Sequence, residues 1–255
     1  MKGSSPAPVI AVDGPSGTGK GTLCVRLARR LGWHFLDSGA LYRVLAALAE
    51  RSGLSLDDGP GLARLAAELD IAFREAYGRI TVHCSSEDLS EVVRTESCGA
   101  AASKVAALPE VRAALLAVQK GFRRVPGLVA DGRDMGTVVF PDARLKVFLT
   151  ASPEARAERR YNQLKQQGIN VKLENVRRDI GERDVRDSAR TVSPLRPAPD
   201  AVVVDTSDLG IDAVFERVLC LVSGRGSGSG LSPLEENVGA WRDEGAEGTV
   251  AGDAE

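Results

Sequence analysis

Aromatic side chains make up only 4% of this 255-residue chain, and histidine occurs twice. Aliphatic side chains must therefore fill the core, and a hydrophobic content of 43% is enough for one good-sized domain. The four cysteines (Cys24, Cys84, Cys98, Cys220) are widely spaced and form no Cys-x-x-Cys pair. His34 and His83 are too few to complete a zinc site with them. The cysteines read as reduced, mostly buried thiols of a cytosolic protein. No run of about 18 apolar residues is present to cross a membrane. The segment Met1-Lys2-Gly3-Ser4-Ser5-Pro6 lacks the apolar stretch of a signal peptide. A cytoplasmic location with no membrane partner is the expectation. There is no internal repeat and no Asn-Lys-x-Asp guanine-reading motif. A net charge of −2 argues against a general nucleic-acid binder.

That net charge hides an asymmetry. From Gly224 to Glu255 seven acidic residues face two basic ones, a net −5, which leaves +3 on the rest. The Gly-Ser repeats followed by an acidic, Gly-rich stretch read as a disordered tail over 224–255. Residues 1–8 form an N-terminal extension, and 9–223 the folded domain.

What is there begins with Gly14-Pro15-Ser16-Gly17-Thr18-Gly19-Lys20-Gly21-Thr22. The apolar run Val9-Ile10-Ala11-Val12 precedes it, and a helical pattern from Lys20 to Leu31 follows. Strand, glycine loop, Lys and helix are the context of a P-loop that binds a nucleoside triphosphate. The glycines let successive N–H groups face one anion, and the helix N-terminus adds about half a positive charge there. Lys20 supplies a mobile cation for the β- and γ-phosphates. Gly21 stands where many P-loops place a Mg²⁺-holding hydroxyl, and Thr22 follows one place later. Mg²⁺ is therefore expected mostly on phosphates and water. No strong direct protein ligand stands out, and Asp131 or Asp13 could approach the ion through water.

Further along, strands are expected at 33–36, 128–130, 145–149 and 201–205, with helices between them. Alternating strands and helices predict an α/β, three-layer P-loop fold with a central parallel sheet. A helix is expected from Asp37-Ser38-Gly39 to about Ser52, a break at Gly59-Pro60, and a hairpin at 71–84 turning at Tyr77-Gly78. One helix is expected over 91–104, another over 109–124, and a long charged helical stretch to about Arg190, broken near Gly168. The last helix is expected over 211–223.

Ligands of such sheets gather at the C-terminal strand ends, where three polar clusters fall. In Asp37-Ser38-Gly39-Ala40-Leu41-Tyr42-Arg43, Arg43 is placed to fork onto a second phosphate. The alternative is that Ser38 merely caps the helix and Arg43 is a surface charge. In Asp131-Gly132-Arg133-Asp134, Arg133 can clamp phosphate and Asp134 can accept from a ligand amine. The alternative is an internal Arg–Asp pair. In Glu182-Arg183-Asp184-Val185-Arg186-Asp187-Ser188-Ala189-Arg190, basic residues recur every three or four positions and share a helix face. That face is either a solvated charge array or a mobile lid bringing cations to a moving phosphoryl group.

With these motifs placed, the chain resembles the bacterial cytidylate kinases, within the nucleoside monophosphate kinase family, from about Val9 to Ser223. The resemblance implies γ-phosphoryl transfer from ATP to CMP or dCMP with Mg²⁺, in a monomer. It implies a β-containing monophosphate-binding insert at about 62–104 and a helical lid at about 156–192. It implies that Ser38, Tyr42 and Arg43 hold the monophosphate, and that Ser103, Arg112 and Asp134 read cytosine. Arg183 and Asp187 would contact the sugar, with Arg133 and Arg190 joining Lys20 around the phosphates. Lys20, Arg133, Arg183 and Arg190 would be the catalytic cations, and Arg186 has no assignment. Two rivals remain at this level. One is a P-loop kinase for UMP or a small metabolite. The other is a nucleotide-binding switch that does not turn over.

Overall fold

The computed structural model describes residues 6–76 and 79–224. The acidic tail from 225 onward, the first five residues and the turn at Tyr77-Gly78 lie outside them. Five strands form one parallel sheet: β1 (Val9–Asp13), β2 (His34–Asp37), β6 (Leu128–Gly132), β7 (Leu145–Thr150) and β8 (Val202–Asp205), in the order β2-β6-β1-β7-β8. All five residues of β1 and of β6 are buried, as a continuous apolar run covered on both faces requires.

The two-residue alternation of a strand then splits the core. Val9 and Ala11 point into one cluster, packed against α2 (Ser38–Arg51), α3 (Gly59–Ala67), α4 (Glu96–Val105) and α5 (Pro109–Gly121). Ile10 and Val12 point into the other, with Leu23 and Leu27 of α1 (Lys20–Leu31) and Val214 and Val218 of α8 (Ile211–Val222). This is the three-layer α/β architecture that the sequence predicts. A third, small cluster of Ala157, Leu164, Val176 and Ile180 holds together a hairpin of α6 (Pro153–Gln166) and α7 (Leu173–Ser188). The break near Gly168 falls between them, where that glycine sits at φ +77°. Among the described residues, no helix is long and apolar enough to cross a membrane.

Between α3 and α4 lies a second, antiparallel sheet of β3 (Ile71–Ala76), β4 (Arg79–Cys84) and β5 (Glu87–Asp88). The first two strands are the expected hairpin; the short third strand had no sequence signal. Two boundaries differ from expectation. Gly59-Pro60 does not break the chain but opens α3, because Asp58 accepts from Gly61 N at 2.9 Å and a proline suits a helix first turn. The expected helix over 91–104 is two pieces, a 3-10 turn at Val92–Arg94 and α4. Thr95 between them is extended and caps Cys98 N.

Gly14 ends β1 at φ +145°, and a Cβ there would stand 2.1 Å from the carbonyl oxygen of Leu149 in β7. Backbone cannot give way as a flexible side chain can. Gly14→Ala is expected to lower unfolding stability by about 2–3 kcal/mol, from overpacking and backbone strain combined. A urea midpoint equal to the parent's would refute it.

Candidate functional site

The register of the sheet sets Asp37 and Asp131 side by side and level with Val12, with Asp13 one residue further along beside Gly132. Above this edge the P-loop wraps over the start of α1. No side chain caps α1, and its first turn holds no acidic residue. Its leading N–H groups and positive dipole end therefore remain for an anion. Lys20 is buried, and its Nζ donates to Pro15 O at 2.7 Å, with Thr18 Oγ1 at 3.5 Å. Burial, and then Arg133 nearby, push its pKa below the usual lysine range, while burial raises that of Asp131.

Asp13 has another task. It is buried, and its two oxygens accept from Met135 N and Gly136 N, both at 2.8 Å. It fastens the π-turn Met135–Val139 beneath the site, and burial raises its pKa to about 7. Of the two carboxylates considered for Mg²⁺, Asp131 is the one in the cavity wall. Among the described residues no group of three or more His, Cys, Asp or Glu converges as a metal cage. A Mg²⁺ carried in on nucleotide phosphates, keeping its waters, needs none. Asp131 is the carboxylate that would face such an ion through its waters.

Two concavities meet at the P-loop. The larger, of about 1150 Å³, runs past Ser16, Gly17, Thr18, Gly19 and Thr22 to Arg26, Arg159, Thr206, Leu209 and Ile211. The smaller, of about 350 Å³, is lined by seven basic side chains (Lys20, Arg43, Arg112, Arg133, Arg160, Arg183, Arg190) and four carboxylates (Asp37, Asp131, Asp134, Asp187). Its size lies within the range of small-molecule sites. Ser16, Gly17, Gly19, Gly21 and Thr22 face both spaces. Gly14 and Pro15 line neither; Gly14 packs against Leu149 O and Pro15 O accepts from Lys20.

The first polar cluster departs from the alternative in which Ser38 caps the helix and Arg43 is a surface charge. Asp37, not Ser38, caps α2, accepting from Ala40 N at 3.0 Å, and it also pairs with Arg43 at 2.7 Å. Arg43 is thus an aimed cavity wall rather than a surface charge. The Ser38 hydroxyl is buried and accepts from Gln119 Nε2 at 3.0 Å. Tyr42 is buried beneath Arg112, whose guanidinium lies 5.8 Å from the ring centroid. The second cluster, unlike the first, makes no ion pair among its own residues. Arg133 reaches Asp187 of α7 at 3.1 Å, and Asp134 pairs with Arg112 of α5. Asp187 also pairs with Arg190. Burial opposes its charge, but Arg133 and then Arg190 hold its carboxyl below the usual range.

Polar atoms are left over, and they converge. Ser103 Oγ, Arg112 Nε, Arg183 Nε and Arg190 Nε are buried without hydrogen-bond partners, and all four residues line the smaller cavity. Unpaired buried donors are costly, and a cluster of them calls for a ligand. Arg183 shows the strain: burial, then the like charge of Arg133, push its pKa down to about 9.

All ten residues expected on the acceptor side therefore meet at one cavity. Gln119, Arg160 and Gln163 were missed. Gln119 had a signal, a polar residue on the buried stripe of α5, seven positions from Arg112. Arg160 and Gln163 face both concavities but sit on a helix charged nearly all round.

A family model described as "Cytidylate kinase" matches residues 10–224. The cytidylate kinase of Stutzerimonas stutzeri (strain A1501) is 55% identical over 223 residues, covering 86% of this chain and 97% of that protein. The cytidylate kinase of Methylococcus capsulatus is 57% identical over 216 residues, covering 84% and 96%. That of Nitrosococcus oceani is 52% identical over 224 residues, covering 87% and 99%. With matches of this extent and with a P-loop between two concavities, the chain belongs to the cytidylate kinase family.

Proposed function

We propose that this chain transfers the γ-phosphoryl group of ATP to CMP or dCMP, giving ADP and the corresponding diphosphate. The observation that carries the reading is the cavity beside the P-loop, where seven cations face four carboxylates. That surplus of positive charge matches a second phosphate, which a nucleotide switch does not need. ATP lies along the larger concavity with its phosphates over Gly14 to Thr22, and CMP fills the smaller one.

In this reading Arg43, with Ser38 held by Gln119, grips the CMP phosphate. Asp134 accepts from the cytosine exocyclic amine, while Arg112 and Ser103 donate to the ring's acceptors. UMP presents a carbonyl oxygen at the place of that amine, setting acceptor against acceptor. Asp187 and Arg183 take the sugar. A CMP phosphate oxygen attacks the γ-phosphorus in line, and the bond from that phosphorus to the β–γ bridging oxygen breaks. The bond electrons leave with ADP. No general base is needed, since a phosphate dianion is already a nucleophile. Lys20, Arg133, Arg183 and Arg190 stabilise charge spread over the equatorial oxygens. Mg²⁺, when bound, supplies neutralisation of the β- and γ-phosphate charge. The α6–α7 hairpin acts as the lid that excludes water, and the β3–β5 region with α4 as the monophosphate-binding insert.

A coupled ADP-release assay with ATP, Mg²⁺ and each nucleoside monophosphate in turn tests this. Release with CMP and dCMP well above UMP, AMP and GMP is expected. Stimulation by no monophosphate would return the chain to the metabolite-kinase and switch readings.

A further inference from the structure

The α6–α7 hairpin contains an ion pair between a buried arginine and a half-buried aspartate that the chemistry above does not use. Arg156, near the start of α6, is 4% exposed. Its guanidinium forks onto Asp184 of α7, Nη1 to Oδ1 at 3.0 Å and Nη2 to Oδ2 at 2.5 Å. Nε donates to Ala151 O at 3.2 Å, and Nη1 also reaches Ser16 O of the P-loop at 3.3 Å. The backbones touch as well, since a Cβ on Gly17 would stand 2.9 Å from Arg156 Cβ. Three segments distant in sequence thus meet at one guanidinium: the phosphate loop, the root of α6, and α7.

Asp184 is placed to control α7. Arg183 and Asp187, four residues apart, share the face that lines the cavity. Asp184 follows Arg183 by one position, about 100° around the helix axis. Pinning Asp184 to the root of α6 therefore fixes both the rotation of α7 and its distance from the P-loop. A planar two-point fork does this better than a lysine's point charge. Burying the guanidinium is costly without a partner, so Asp184 keeps it satisfied, and fixing a register is the best-attested use of such ion pairs.

We infer that Arg156 and Asp184 are a positioning pair that registers Arg183 and Asp187 against the phosphates held at Lys20. The inference rests on the proposed phosphoryl transfer. Neither residue touches substrate in it, and the pair acts through the placement of α7.

The test uses the full chain and the variants Arg156→Lys, Asp184→Asn and their combination. It measures kcat, separate equilibrium binding of CMP and of a non-hydrolysable ATP analogue, and thermal unfolding. Each single variant is expected to lose roughly 100-fold in kcat, the effect of a misplacement on the order of 1 Å. Each nucleotide alone should bind within about threefold of the parent, since each half-site stays intact. The double variant should be no slower than the slower single variant, because either change breaks the same fork. The inference falls if kcat stays within about threefold of the parent, if the two losses multiply, or if the loss merely tracks the folded fraction. Should Asp184→Asn not fold, Arg156→Lys, which keeps a cation in the niche, carries the test alone. A parent with no CMP-dependent turnover would overturn the proposed reaction itself, whereas an active parent with unimpaired variants overturns only the pair.

Discussion

Lys20→Ala is expected to lower kcat by about three orders of magnitude or more, with the protein still folded. Removing one preorganised donor aimed at developing charge typically costs 10²- to 10³-fold, and here the lost group is a full cation in a water-poor site. A thousandfold loss corresponds to about 4 kcal/mol of transition-state stabilisation. Stability should not follow activity. The ammonium is buried and rests on Pro15 O and Thr18 Oγ1, and burial holds its pKa below the ordinary lysine value. Its charge is thus a burden on the nucleotide-free fold, and the alanine variant should unfold within about 1 kcal/mol of the parent, or be more stable. The sign of a linked effect follows. Phosphate anions favour the charged lysine, so binding an ATP analogue draws a proton onto the site. Calorimetry in buffers of different ionisation enthalpy should therefore register proton uptake. Retained turnover in Lys20→Ala would remove the P-loop from the mechanism, and proton release would contradict the assigned charge state.

Asp134→Asn should erase much of the discrimination between CMP and UMP. Asp134 is 3% exposed and faces Arg112, which also donates to Ala106 O at 3.2 Å. A site built to hydrogen-bond one substrate group rejects its isostere steeply, because buried polar groups are then left unpaired. The asparagine keeps an oxygen for Arg112 but offers an amide where cytosine brings a donor. We expect kcat/KM for CMP to fall about 100- to 1000-fold, while that for UMP changes less than about tenfold. Asparagine is preferable to alanine, which would strand Arg112 without a counter-charge and cost stability as well. Equal losses on both substrates, in a variant that melts like the parent, would sink the base-reading role.

The parts of the site legible in the sequence are those whose chemistry is local. Glycine spacing, a lysine and flanking periodicity are enough to place the P-loop, because the loop's own backbone makes the site. Asp37-Ser38-Gly39 and Asp131-Gly132-Arg133-Asp134 were placed by falling at strand ends. What could not be read depends on pairing across the chain. Arg112 meets Asp134 from 22 positions away and Gln119 meets Ser38 from 81; nothing in α5 names either partner. Arg112 came only from the family resemblance, since the pattern of α5 alone makes it an ordinary surface residue. The cap of α2 is left open by the sequence for a subtler reason. Asp37 and Ser38 are both competent caps, and Asp37 takes the task because it is also the end of β2 and the partner of Arg43. The π-turn after Asp134 carries no compositional signal; it is held by Asp13, more than 120 positions upstream.

The crowd of guanidinium groups around the smaller cavity has a consequence beyond catalysis. Like charges held together with unpaired donors are a spring compressed by the rest of the fold. Any anion that enters relaxes it, and binding to the folded form alone adds stability in proportion to the logarithm of its concentration. Resistance to unfolding is thereby tied to nucleotide concentration: saturating nucleotide raises the unfolding midpoint, and its removal lowers it.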